Sequence, residues 1–221
     1  MGANKLALFD VNNYLTIDAL EDGLTILFPQ DLEYGIDGLG WQRLPAGKSS
    51  PPIKKGQTIS FKAELVPTGS DGIGSFFIDK KCNLLGNVMS ILASNELIAN
   101  CFYRLFEDCI TICSVSEGFL PATTLAISCY ARMFYGCTSL VNAPELPAIY
   151  LKNWCYEYMF YGCSKVSYIK AMFTTNINAT NYTKNWVSGV ASTGTFVKNK
   201  NATWNVTGVN GVPSGWTIQK V

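Results

Sequence analysis

Apolar and polar positions alternate cleanly in Gly56–Leu65, where Ile59, Phe61, Ala63 and Leu65 share one side, and this period of two predicts a strand. Strand-like runs also lie at Tyr14–Leu20, Gly23–Phe28 and Leu32–Ile36. Glu21-Asp22-Gly23, Asp37-Gly38 and Ser49-Ser50-Pro51-Pro52 separate them with turn and loop chemistry. Residues 1–80 are therefore expected to form an all-β, sandwich-like domain.

Further along, the period changes. Cys101-Phe-Tyr-Arg-Leu-Phe-Glu-Asp-Cys109, Cys129-Tyr-Ala-Arg-Met-Phe-Tyr-Gly-Cys137 and Cys155-Tyr-Glu-Tyr-Met-Phe-Tyr-Gly-Cys163 align without gaps. The phase extends outside these cores. Leu120-Pro-Ala122 precedes Cys129 as Leu146-Pro-Ala148 precedes Cys155, and Ile112, Leu140 and Val166 follow in step. The unit is 26 residues, stretched to 28 in the first copy.

Within a unit, Cys129, Met133, Phe134 and Cys137 fall at i, i+4, i+5 and i+8, which predicts a short helix ending at Gly136. Leu140–Ala143 reads as a short strand stopped by Pro144 and Pro147. One such unit cannot bury its own apolar side, and stacking copies solves the problem. The fold class expected is thus α+β, with a solenoid of about three to four repeats over 81–182. Tyr182–Gly189 reads as a degenerate fourth copy. Residues 183–221 are expected to cap the array with a β-hairpin of Gly194–Lys198 and Gly215–Ile218.

Composition narrows the chemistry. Charged residues are 15% of the chain, against roughly 25% in an ordinary soluble domain, so the surface is polar through Asn, Ser, Thr and Tyr. That suits contact with proteins or sugars and argues against nucleic acid, which requires clustered Lys and Arg. There is no histidine, which removes Ser-His-Asp and Cys-His nucleophile systems and every His-containing metal site. No other catalytic signature is present, and no enzyme is expected. Thr68–Gly74 is glycine-rich but lacks the Lys-Ser/Thr ending of a phosphate loop. No cofactor is expected.

The eight cysteines read as core thiols. Residues i and i+8 on a helix lie ~12 Å apart, too far for a disulfide or one zinc. Only Cys109 and Cys113 have a zinc-like spacing, and no second pair completes it, so no metal is expected. The sequons at Asn178, Asn181, Asn201 and Asn205 are what an Asn/Thr-rich stretch produces by chance. No apolar run reaches the ~18 residues of a membrane span, and the start at Met1 shows no export signal.

The units Cys129–Leu140 and Ala143–Ala148, with the tail Gly194–Asn199 and Pro213–Thr217, resemble the BspA-like leucine-rich-repeat proteins of gut-type bacteria and their phages. The resemblance covers residues ~82–221, and Trp41 with Gly56–Lys62 fits the domain that usually precedes them. It implies surface-exposed adhesion or recognition without catalysis, and supplies no fixed functional residues. Cell-surface members begin with an export signal and this chain does not. The expectation is therefore a phage virion component, such as a head-decoration, fibre or tail-appendage protein, within an oligomer or larger assembly. The alternative is a bacterial cell-surface adhesin module that binds host protein or glycan.

Strand side chains facing away from the core are the expected contacts: Ser114, Asn142 and Tyr168, with Glu145 and Lys170 nearby. Tyr130, Tyr135, Tyr156 and Tyr161 form a second candidate patch if they face outward; the equal alternative is that they pack between adjacent coils.

Overall fold

A computed structural model describes residues 13–174 and 181–221. Eleven strands are defined among them: β1 (Leu15–Ala19), β2 (Ile26–Leu27), β3 (Leu32–Ile36), β4 (Leu39–Leu44), β5 (Thr58–Lys62), β6 (Phe77–Ile78), β7 (Cys82–Gly86), β8 (Ile112–Val115), β9 (Tyr168–Ala171), β10 (Thr195–Lys198) and β11 (Thr217–Lys220). One sheet has the order β4-β3-β5-β1-β7-β8, a second β11-β10-β9, and β2 pairs with β6. Pairing is antiparallel as far as β7 and parallel from β7 to β8. Asn142 then bridges Ser114 on one side and Tyr168 on the other, both parallel, so the two larger sheets run on through a single residue. The alternation read from sequence has a direct cause here: Leu15, Ile17, Ile59 and Phe61 are all buried on one face.

The α+β expectation is overturned. No α-helix forms among the described residues; a single 3-10 turn, Val88–Ile91, is the one helical element defined there. The chain is nearly all β, no sheet closes, and the expected helix-bearing solenoid does not form. The N-terminal strands do not make a separate sandwich either, because β7, beyond residue 80, pairs with β1. The C-terminal hairpin is likewise corrected: β10 and β11 are parallel neighbours, which a tight turn cannot connect.

Backbone geometry explains the missing helices. Arg104, Asp108, Arg132, Gly136, Tyr158 and Gly162 have φ between 54° and 75°, so every fourth residue is left-handed. An α-helical ladder cannot continue through such residues. Amides of odd-numbered residues instead bond three residues back, as Tyr103 N–H to Asn100 O at 3.0 Å and Leu105 N–H to Phe102 O at 3.3 Å. Amides of even-numbered residues leave the row: Phe102 donates to Cys129 O at 2.9 Å and Phe106 to Met133 O at 2.9 Å. The next rows follow suit, with Tyr130 donating to Cys155 O and Tyr156 to Tyr182 O. The result is rows of turns with a period of four. Two side chains point in, two point out, and the burial of Cys101, Phe102, Leu105, Phe106 and Cys109 follows.

Aromatic rings bind the rows together. Phe28, Phe76, Phe106, Phe134 and Phe160 form a column with successive centroids 4.4, 5.4, 5.5 and 5.9 Å apart, and Trp186 ends it at 6.3 Å. Phe102, Tyr130 and Tyr156 make a second column at 5.8 and 6.1 Å. The glycine-rich Thr68–Gly74 loop leads into the start of the first: Phe76 donates its amide to Leu105 O, and Ser75 Oγ donates to Arg104 O. At the other end, the Asn210 side chain accepts from the Asn185 amide and Trp186 Nε1 donates to Gly211 O, so side-chain bonds join the backbone bond from Val187 N–H to Val209 O in closing the stack.

Candidate functional site

Outward residues of adjacent strands line up because register carries from one pair to the next. Asp18 stands opposite Asn83, Asn83 opposite Ser114, Ser114 opposite Asn142, Asn142 opposite Tyr168, and Tyr168 opposite Thr195. A single line of polar side chains therefore crosses the sheet at strand spacing, ~4.8 Å per step. Ser114, Asn142 and Tyr168 are its centre, and Glu145 and Lys170 flank it through an ion pair of 3.0 Å. The five candidate residues are thus brought into one neighbourhood.

A β-bulge at β7–β8, where Cys82 faces Ile112 but Asn83 faces Ser114, is what turns Ser114 onto this line. Ser114 Oγ lies 2.6 Å from Asn83 Oδ1, to which it donates, and Asn83 Nδ2 donates to Asp18 Oδ2 at 3.0 Å. This end of the line is held rigidly. The other end is open: Asn142 is exposed, the Tyr168 ring is 38% exposed, and neither side chain has a hydrogen-bond partner among the described residues.

Beside them lies a cleft of about 360 Å³ lined by Ser116, Glu117, Asn142, Glu145, Tyr168 and Lys170, with Val115, Ala143 and Pro144 as apolar wall. The Ser116 Oγ is buried there without a partner. The Glu145 carboxylate beside Lys170 holds its ammonium above the usual range. Asn83, Asp18, Ser116 and Glu117 were missed by sequence reasoning. The alternation of Cys82, Asn83 and Leu84 was the available signal for Asn83; Ser116 and Glu117 follow a strand end and carry none.

For the tyrosine patch the structure shows the second of the two readings, packing between adjacent coils. Tyr130 and Tyr156 are buried inside the aromatic column rather than outward, since both fall on the inward pair of the four-residue period. Tyr135 and Tyr161 do reach the surface, stacked on each other at 4.9 Å, with the Arg132 guanidinium 4.0 Å over Tyr135. Arg132 also pairs with Glu107. These rings pack against neighbours of the same chain.

All eight cysteines are free, and all but Cys113 are buried. Cys109 donates its S–H to Phe76 O, Cys137 to Phe106 O and Cys163 to Phe134 O, each at about 3 Å and each to the preceding row. Burial pushes the thiols of Cys109 and Cys163 up to about 12. No group of three or more Cys, Asp or Glu residues that could hold a metal occurs among the described residues. No helix among them is long and apolar enough to cross a membrane. The Asn178 sequon lies outside the described residues. Compared with known proteins, the chain matches no family model, no curated protein and no solved structure.

Proposed function

We propose that this chain is a non-catalytic recognition protein whose contact face is the polar line across the parallel half of the sheet. The observation that carries the reading is the alignment of Ser114, Asn142 and Tyr168 on neighbouring strands, with an unpartnered amide and an exposed ring beside the Glu145–Lys170 pair. Rigid elements present these groups, which keeps the ordering cost of binding low. The carboxylate and the ammonium are committed to each other, an arrangement that orients a ligand and does not move protons.

The setting we propose is a phage particle, on the strength of the resemblance of the repeat units; display on a bacterial surface is the competing setting. Gold-labelled antibody against the chain, imaged on particles, tests it: labelled particles support the virion, and bare particles with labelled cells overturn it. The contact face is tested with fluorescently labelled protein on bacterial cells. Wild type is expected to bind and the Asn142→Ala/Tyr168→Ala variant, folded by circular dichroism, to lose binding at least tenfold. Undiminished binding by that variant removes the face from consideration.

A further inference from the structure

We infer that the ligand of this face is a linear, uncharged glycan laid across the strands, one sugar ring to each strand step. The inference rests on the recognition reading above and adds the chemical class and the direction of the bound chain.

Three observations carry it. The first is spacing. The line repeats at the strand separation of ~4.8 Å, and an extended chain of equatorially linked pyranose rings advances by a similar distance per ring. Four steps separate Asn83 from Thr195 through Ser114, Asn142 and Tyr168, roughly 19 Å in all. An extended peptide running along the strands would instead meet one or two of these residues.

The second is the kind of groups available. Sugar hydroxyls donate and accept together, and they are matched by groups that do the same. The Asn142 amide, exposed and without a partner of its own, supplies this, while the exposed Tyr168 offers an apolar ring face for the C–H side of a pyranose. Each is in the same cleft of about 360 Å³, within the size range of small-molecule sites.

The third is charge. The cleft holds Glu117 and Glu145 against Lys170 alone, one negative charge in excess. An acidic polysaccharide is repelled, and a phosphate finds no arginine. An uncharged glycan meets neither obstacle, and Glu117, which is exposed, stays solvated beside it.

The test is calorimetric titration of the full chain with uncharged β-linked gluco-oligosaccharides of two to six rings, with an oligolysine and an acidic oligosaccharide as comparators. Affinity is expected to climb with each ring up to four or five and then level off. Tyr168→Ala should lose at least tenfold at every length. Asn83→Ala/Ser114→Ala should cancel the gain in affinity from longer chains. Affinity independent of length, or binding of the oligolysine alone, overturns the inference. If no oligosaccharide binds while Tyr168→Ala still loses binding to cells, the glycan class fails and the recognition face stands. If Tyr168→Ala keeps its cell binding, the face itself fails.

Discussion

Gly136 lies directly beneath Asp108 of the preceding row, so closely that a Cβ built on Gly136 would stand 2.1 Å from Asp108 Oδ1. Both residues occupy the same left-handed place in their rows, with φ of 71° and 57°. Gly136→Ala therefore meets a carboxylate as well as an unfavourable backbone region, and is expected to cost about 3 kcal/mol. Gly162→Ala meets only Gly136 Cα at 3.8 Å, an ordinary contact, and should cost about 1 kcal/mol for the backbone alone. Asp108→Gly should restore most of the difference to Gly136→Ala. Urea unfolding midpoints decide it, and equal losses at the two glycines would sink the account.

The aromatic column predicts a second asymmetry. Phe134 is buried between Phe106 and Phe160, ring upon ring. Phe134→Ala opens a void in the middle of the stack and is expected to cost about 4 kcal/mol. Phe77, 64% exposed one residue after the column member Phe76, should tolerate alanine within about 0.5 kcal/mol. Thermal melts of the two variants provide the comparison, and similar melting temperatures would refute it.

The buried thiols make stability fall with alkaline pH. Burial pushes Cys101, Cys109, Cys155 and Cys163 up to about 12, and holds Cys82, Cys129 and Cys137 well above the ordinary thiol range as well. An unfolded cysteine loses its proton near pH ~8.5. Between that pH and about 12 the unfolded chain releases protons that the folded chain retains, so stability drops as pH rises, by up to about 1.4 kcal/mol per thiol per pH unit. Below pH ~8.5 these groups contribute no slope. Urea midpoints between pH 7 and 10 should show the fall, and iodoacetamide should label the half-buried Cys113 well before Cys137. A flat profile, or equal labelling rates, contradicts the burial.

Lys198 is buried on β10, its ammonium donating to Trp204 O at 2.9 Å and lying 4.6 Å from the Trp204 ring. Desolvation, with Lys220 next to it in register, lowers its proton affinity. A buried cation without a carboxylate is costly, so Lys198→Met is expected to raise stability by about 1 kcal/mol. Lys198→Arg adds volume to a filled site and should lose about 2 kcal/mol. Calorimetric melting of both variants at neutral pH checks the order, which must not invert.

Alternation at Leu15–Ala19 and Thr58–Lys62 was sufficient to locate strands, because a half-buried strand leaves a period of two that little else imitates. The repeat in Cys101, Cys129 and Cys155 also marks inward positions, which are buried, and the equal phase of Ser114, Asn142 and Tyr168 corresponds to their bridging in register. Apolar residues at i, i+4, i+5 and i+8, however, satisfy a helical period of 3.6 and a turn period of 4 equally well over nine residues. What separates the two is where alternate amides find acceptors, and those acceptors lie 25 to 27 residues away in the next row. Only the assembled chain supplies them. The same neighbours draw Tyr130 and Tyr156 inward and make β10 and β11 parallel, because a buried ring or amide is placed by what surrounds it and not by its own segment.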